Sequence, residues 1–315
     1  MKHFIAAVLA TAICSLTFAQ NDWAVVNLSS NFMREDPDYA AENGDQALMG
    51  TVVKVLEKKS YWQKIQSPEP YTAWTTDMGL TYMTEEEKDA YIAAPKLICT
   101  VEYTHLLKQP DEKAARICDL VMGDLLLKTG KKHGQWSCVA LPSGQTGWVK
   151  TRETADFAKW AATREVTGEN VEAIARKFIG VPYMWGGTSI KHVDCSGLSR
   201  SVFFMLGILL PRNASQQAKV GEEVSREQAR KGDLVFFGRS ATEDKPERVT
   251  HVGIYLGDGN IIHSSLLVRE NSINEGAGNY YGGNILHFRR IIGHIDDGTG
   301  ITSMLKSPYY FPQSK

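Results

Sequence analysis

Cys195 lies in the run Val193-Asp-Cys-Ser-Gly-Leu, where a loop turns into a helix. At such a place the free N–H groups and the positive end of the helix dipole stabilise a thiolate, and the same N–H groups can face a developing oxyanion. The chemistry this allows is acyl transfer: thiolate attack on a carbonyl, an acyl-enzyme, then water activated by the same base. That base must come from elsewhere in the chain, because thiol hydrolases bring cysteine and histidine together in space and not in sequence. Of eight histidines, His251 and His263 stand out. They lie on neighbouring predicted strands joined by Gly257-Asp-Gly-Asn, a hairpin signal.

Strand side chains alternate faces, so the length of this connection decides whether the imidazoles can meet. A two-residue turn at Asp258-Gly259 would pair His251 with Leu266 and send His263 to the other face. A three-residue loop, Gly257-Asp258-Gly259, would set His263 opposite Gly253, diagonal to His251 on one face. The sequence predicts the odd-length loop. His263 then holds one nitrogen of His251 and leaves the other for the Cys195 sulfur.

The elements that must position these residues read as an α+β unit. Asn170 to Gly180 has apolar residues at helical spacing and stops at a glycine before Pro182. A second helix follows Asp194, with Leu198, Val202, Met205 and Leu206 along one side. Strands come next, at Asp233–Phe237, His251–Leu256 and Asn260–Ser264. Helices first and an antiparallel sheet second indicate α+β architecture. Upstream, 20–85 and 95–152 read as two copies of one small all-β unit, the second closed by Gly144-Gln-Thr-Gly-Trp-Val. A polar connector helix is expected over 153–167, the α+β domain over 168–295, and a tail over 296–315 that packs back on the body.

The chain has 315 residues with 35 basic and 36 acidic side chains, which leaves no basic excess for a phosphate backbone. Nucleic acid is therefore not an expected partner. Residues 1–19 have a basic start, an apolar run and a small-residue end, the pattern of a signal peptide. Export to the periplasm or the extracellular space follows, and no other apolar run approaches the roughly 20 residues of a membrane helix. Cys14 leaves with the leader. Cys99, Cys118 and Cys138 match neither a zinc site nor a CxxC pair, and are expected as small core residues on strands. No metal or cofactor is expected. Gly186-Gly187 lacks the spacing of a phosphate loop, and His105, His133, His192 and His287 have no motif around them.

Five runs occur in a telling order: Pro182-Tyr-Met-Trp-Gly-Gly, Asp194-Cys-Ser-Gly-Leu, Leu210-Pro-Arg-Asn-Ala-Ser-Gln-Gln, Lys231-Gly-Asp-Leu-Val-Phe-Phe and Thr250-His-Val-Gly-Ile-Tyr-Leu. Together they resemble the NlpC family of cell-wall cysteine peptidases, which have a papain-like α+β fold. The upstream units resemble bacterial SH3-like barrels. With both barrels the chain is similar to the γ-D-glutamyl-L-diamino acid endopeptidases of the dipeptidyl-peptidase VI type. The resemblance implies Cys195 as nucleophile, His251 as base, His263 as the orienting third member and Tyr183 beside the oxyanion. It implies Asp194, Ser196 and Ser215 as contacts to a peptidoglycan stem peptide, a murein tripeptide or tetrapeptide. In such relatives the first barrel supplies a Glu and a Tyr that read the free amine of an N-terminal L-Ala, for which Glu42 and Tyr71 are the candidates here.

Each of these residues also has a plainer reading. Cys195 could be a buried thiol, Tyr183 and Trp185 packing residues, Ser196 and Ser215 helix caps, and Glu42 a solvated carboxylate. Two further functions stay open. The same thiol could cut the sugar-to-L-Ala amide or a cross-link, or the chain could be a non-catalytic wall-binding protein. A monomer is expected.

Overall fold

The computed structural model describes residues 22–313, so the expected leader, Cys14 included, lies outside the described residues. The first barrel comprises β1 (Trp23–Val26), β2 (Asn31–Arg34), β3 (Asn43–Ala47), β4 (Val52–Lys59), β5 (Trp62–Gln66), β6 (Thr72–Thr76) and β7 (Leu80–Met83). After α1 (Glu85–Ala93), the second comprises β8 (Lys96–Cys99), β9 (Tyr103–Leu107), β10 (Arg116–Val121), β11 (Leu125–His133), β12 (Trp136–Ala140), β13 (Thr146–Lys150) and β14 (Thr154–Asp156). The sheet orders are β3-β2-β6-β5-β4-β1-β7 and β10-β9-β13-β12-β11-β8-β14, one order shifted by seven strands. The repeat read in the sequence is thus a repeat of topology. Val26, Met33, Val53 and Ile65 fill the first core; Leu106, Leu120, Leu126, Val139 and Val149 fill the second.

The connector departs from expectation. Residues 154–156 form β14, which pairs with β8 and completes the second barrel. Only α2 (Phe157–Ala162) is helical there, started by Asp156, whose side chain accepts from Lys159 N. The segment is not a polar linker, because Phe157 and Trp160 are buried in the core of the following domain. The end of the chain closes over them: Phe311 stacks on Phe157 at 4.9 Å and Tyr310 is buried. The tail therefore packs back on the body, beside α2.

The α+β domain begins with α3 (Gly168–Arg176), which ends one turn earlier than read; Gly180 follows with φ +85°. A two-residue ribbon, β15 (Thr188–Ser189) with β16 (His192–Val193), leads into α4 (Cys195–Phe204). Then come β17 (Ile208–Leu209), α5 (Ala214–Gln217), β18 (Glu222–Val224), β19 (Leu234–Arg239), β20 (Arg248–Gly257), β21 (Asn260–Ser265), β22 (Leu267–Ser272), β23 (Ile285–Arg290) and β24 (Thr302–Ser303). The main sheet is antiparallel, in the order β18-β23-β19-β20-β21-β22. Alternation along its strands builds two cores. Leu234, Phe236, Val252, Ile254 and Ile262 join Leu198 and Val202 of α4, while Val235, Phe237, Tyr255 and Ile261 pack on the other side. Burying those apolar side chains seats α4 on the sheet. Cys99, Cys118, Cys138 and Cys195 are all free thiols.

Candidate active site

Asp194 starts α4. Its Oδ1 accepts a 2.7 Å hydrogen bond from Gly197 N, so Cys195 becomes the first residue of a helix whose leading N–H groups have no helical acceptor. The side chain is buried, and the N–H groups of Ser196 and Val252 face its sulfur. Burial, with Asp194 close by, pushes the thiol up to about 11.

His251 on β20 and His263 on β21 meet, with His251 Nε2 2.7 Å from His263 Nδ1. The register is the odd one, but the route differs from the three-residue loop expected. Gly257 pairs with Asn260 across a two-residue turn in which Asp258 and Gly259 have φ of +52° and +77°. The primed turn suits the twist of the strands, and the extra residue is absorbed as a bulge at Leu256. His263 thereby lies opposite Gly253, where an added Cβ would stand 3.4 Å from the His263 Cβ.

Beyond the pair, His263 Nε2 lies 2.9 Å from Asn271 Oδ1, and Asn271 Nδ2 donates to the carbonyl of Asn279 at 2.6 Å. A carbonyl only accepts, which fixes the direction of the whole relay. Asn271 must present its oxygen to His263, so neutral His263 carries its proton on Nε2 and accepts at Nδ1. His251 then carries its proton on Nε2, and its Nδ1 lone pair is left free to act as a base. Tyr281 covers both rings, with centroids 5.4 Å from His251 and 4.6 Å from His263, and Phe237 flanks His251. Behind these rings, burial and then the neighbouring His263 push His251 down to about 3.

Burial thus disfavours the charged form of the Cys195 thiol and of the His251 imidazole alike. The acid limb of kcat/KM is accordingly expected below the ordinary histidine value of 6.5. Rates from about pH 4 to about pH 8 check this; an acid midpoint at or above the ordinary value would contradict a buried neutral base.

Tyr183 is half-buried, and burial, then the charges of Cys195 and Asp194, raise its hydroxyl to about 12, so it stays protonated. A groove of about 790 Å³ runs past Cys195. Asp194, Ser196, Ser215, Arg212 and Trp185 line it from the α+β domain, and Glu35, Gly44 and Tyr71 from the first barrel. Ser215 is exposed in the groove, while the Ser196 hydroxyl is held by Asp194 and Arg212.

The first barrel requires a correction. Tyr71 reaches the groove, but the carboxylate beside it belongs to Glu35, which accepts the Tyr71 hydroxyl bond at 2.5 Å. Glu42 is exposed and does not line the groove; its carbonyl accepts from Glu35 N instead. Gly44 explains the choice. A Cβ there would lie 2.1 Å from both Glu35 Oε1 and the Tyr71 hydroxyl, and the bulge at Gly44 shifts the β2–β3 register. Asn271, Glu35 and Tyr281 were not singled out by sequence; the β21–β22 register, with Asn271 opposite Ile261, is the signal that places Asn271 near His263.

Fold and site together define a papain-like α+β domain preceded by two SH3-like barrels. The NlpC/P60 family pattern matches residues 180–290 and that of the bacterial SH3 domain matches residues 28–76. The γ-D-glutamyl-L-lysine dipeptidyl-peptidase of Bacillus subtilis is 41% identical over 229 residues, 70% of this chain and 71% of the relative. The protein of the same name from Bacillus cereus is 30% identical over 227 residues; the match takes in 70% of this chain and 66% of that relative's length. A crystal structure of an NlpC/P60 family protein from Bacillus cereus shares the fold, with a TM-score of 0.73 at 24% identity over 85% of this chain and 99% of that one. The chain belongs to the NlpC/P60 family, and its relatives support a peptidase. No helix among the described residues is long and apolar enough to cross a membrane.

Proposed function

We propose that the protein is a cysteine endopeptidase that hydrolyses the γ-D-glutamyl-L-diamino acid (meso-diaminopimelate) bond of peptidoglycan stem peptides with a free N-terminal L-Ala. It acts outside the cytoplasm, in the periplasm or the extracellular space. Cys195 attacks the γ-carbonyl of D-Glu, and His251 takes the thiol proton and returns it to the leaving amine. The Cys195 N–H and Tyr183 hydroxyl steady the oxyanion, and the deacylating water is activated by His251. Asp194, Ser196 and Ser215 stand where the stem peptide would lie.

The observation that carries the specificity is that the first barrel walls the groove with the Glu35–Tyr71 pair. Glu35 has already accepted one hydroxyl and keeps its other oxygen for an ammonium, a charge-assisted bond that a glycan-linked stem cannot supply. The relatives named γ-D-glutamyl-L-lysine dipeptidyl-peptidase support the same bond type.

The test is digestion of L-Ala-γ-D-Glu-diaminopimelate beside its N-acetylated form, with products identified by mass. Wild type is expected to release L-Ala-D-Glu from the free peptide only. Glu35→Gln is expected to lose about tenfold or more in kcat/KM on that peptide. Equal cutting of both peptides would remove the amine-reading role, and cutting of neither would move the activity to another wall bond or to binding alone.

A further inference from the structure

Beneath the groove a chain of buried charges runs from the first barrel to the start of α4. Asp45, on β3 of the first barrel, is fully buried. Its Oδ1 and Oδ2 accept from Arg200 Nη1 at 2.7 and 2.9 Å, and Arg212 Nε lies 2.9 Å from Oδ1. Arg200 stands on α4 itself and also reaches Glu69, in the loop between β5 and β6 of the first barrel. Arg212 turns its remaining nitrogens to Asp194 Oδ2 and to Ser196 Oγ, the latter at 3.1 Å. Asp194 in turn caps α4 through Gly197 N and accepts from Gly186 N at 2.9 Å. Beside this chain, Gln46 of β3 takes the Thr188 N–H on its side chain and the Thr188 hydroxyl on its carbonyl, both at 2.9 Å.

One carboxylate of the first barrel is therefore tied to α4 twice: by hydrogen bonds through Arg200 on the body of the helix, and by an ion pair through Arg212 on the residue that caps it. Arg212 is only 2% exposed, so its charge has no water to turn to and depends on these two acids. We propose that Asp45 is a positioning residue for the reaction, setting the start of α4, and with it the Cys195 sulfur, from a different domain. The first barrel is then part of the catalytic apparatus as well as a wall of the groove. This inference rests on Cys195 being the nucleophile.

Asp45→Asn should fold, because Arg200 keeps Glu69 and Arg212 keeps Asp194. Glu69→Gln is the matched control: it removes a partner from the same network without touching Arg212. For D45N, kcat is expected to fall about 10- to 100-fold with KM little changed, the cost of a small misplacement of the nucleophile. E69Q is expected to keep kcat. Alkylation of Cys195 by iodoacetamide, mapped by mass, supplies a readout independent of substrate. Its pH midpoint is expected to drop in D45N, because Arg212, whose charge already lowers the Cys195 thiol, loses the Asp45 counter-charge, and to stay fixed in E69Q.

If D45N does not yield folded protein, Arg212→Lys keeps the charge but loses the two-ended fork, and the same kcat loss is expected. Wild-type kcat in a folded D45N or R212K chain would overturn the proposal, as would an equal kcat loss in E69Q, which marks a merely structural network. A wild type that turns over no stem peptide would instead count against the peptidase reading itself.

Discussion

Cys195→Ala is expected to reduce hydrolysis of L-Ala-γ-D-Glu-diaminopimelate by about 10,000-fold or more, leaving only what binding and oxyanion donors achieve without a nucleophile. The size of the effect follows from the absence of any second nucleophile at the helix start. The hydroxyl of the neighbouring residue, Ser196, is held between Asp194 and Arg212, 3.1 Å from each, and is not free to attack. The substitution removes one small buried atom and touches neither the Asp194 cap nor the Arg212 contacts, so the fold and the groove should survive. Binding separates loss of chemistry from loss of structure: C195A should still be stabilised against heat by the free stem peptide, as a folded protein with an intact site must be. Residual turnover within tenfold of wild type would place the nucleophile elsewhere.

What the sequence made legible was what is local. The turn from loop to helix at Asp194-Cys195, the alternation through His251-Val-Gly-Ile-Tyr and the Gly-rich hairpin each carry their geometry within a few residues. The histidine register could be argued from the parity of the connection alone, although the parity came from a bulge at Leu256 and not from a longer loop. Where a residue's role is set by another domain, the sequence had no means of choosing. Glu35 and Glu42 face each other across the mouth of one hairpin, joined by a backbone bond of 3.0 Å, and only the bulge at Gly44 decides which carboxylate turns to Tyr71. Asp45 reads as an ordinary polar strand residue until two arginines from beyond residue 195 close on it. The boundary near residue 153 was misread for a related reason: the last strand of the second barrel comes after its closing Gly-Trp-Val, and a three-residue edge strand has no period to detect.

The base is the other place where a large effect is expected, and it tests the direction of the relay. His263→Ala removes the only group among the described residues that holds His251 Nε2, freeing the ring to turn and to place its proton on either nitrogen. A loss of about 100- to 10,000-fold in kcat is expected, the range seen when an orienting partner fixes a catalytic tautomer. Asn271 offers the finer test because its orientation is dictated by the Asn279 carbonyl. Asn271→Leu gives His263 Nε2 no acceptor, and about a tenfold loss is expected from a weakened tautomer preference. Asn271→Asp keeps an acceptor toward His263, so kcat should stay well above that of N271L. The added carboxylate also favours protonated imidazole, so the acid limb of N271D should move to higher pH than in wild type. Measuring kcat/KM against pH for the three proteins decides the matter. An N271D chain as impaired as N271L, with an unmoved acid limb, would mean that Asn271 merely fills space beside His263 and that the tautomer of His251 is set elsewhere.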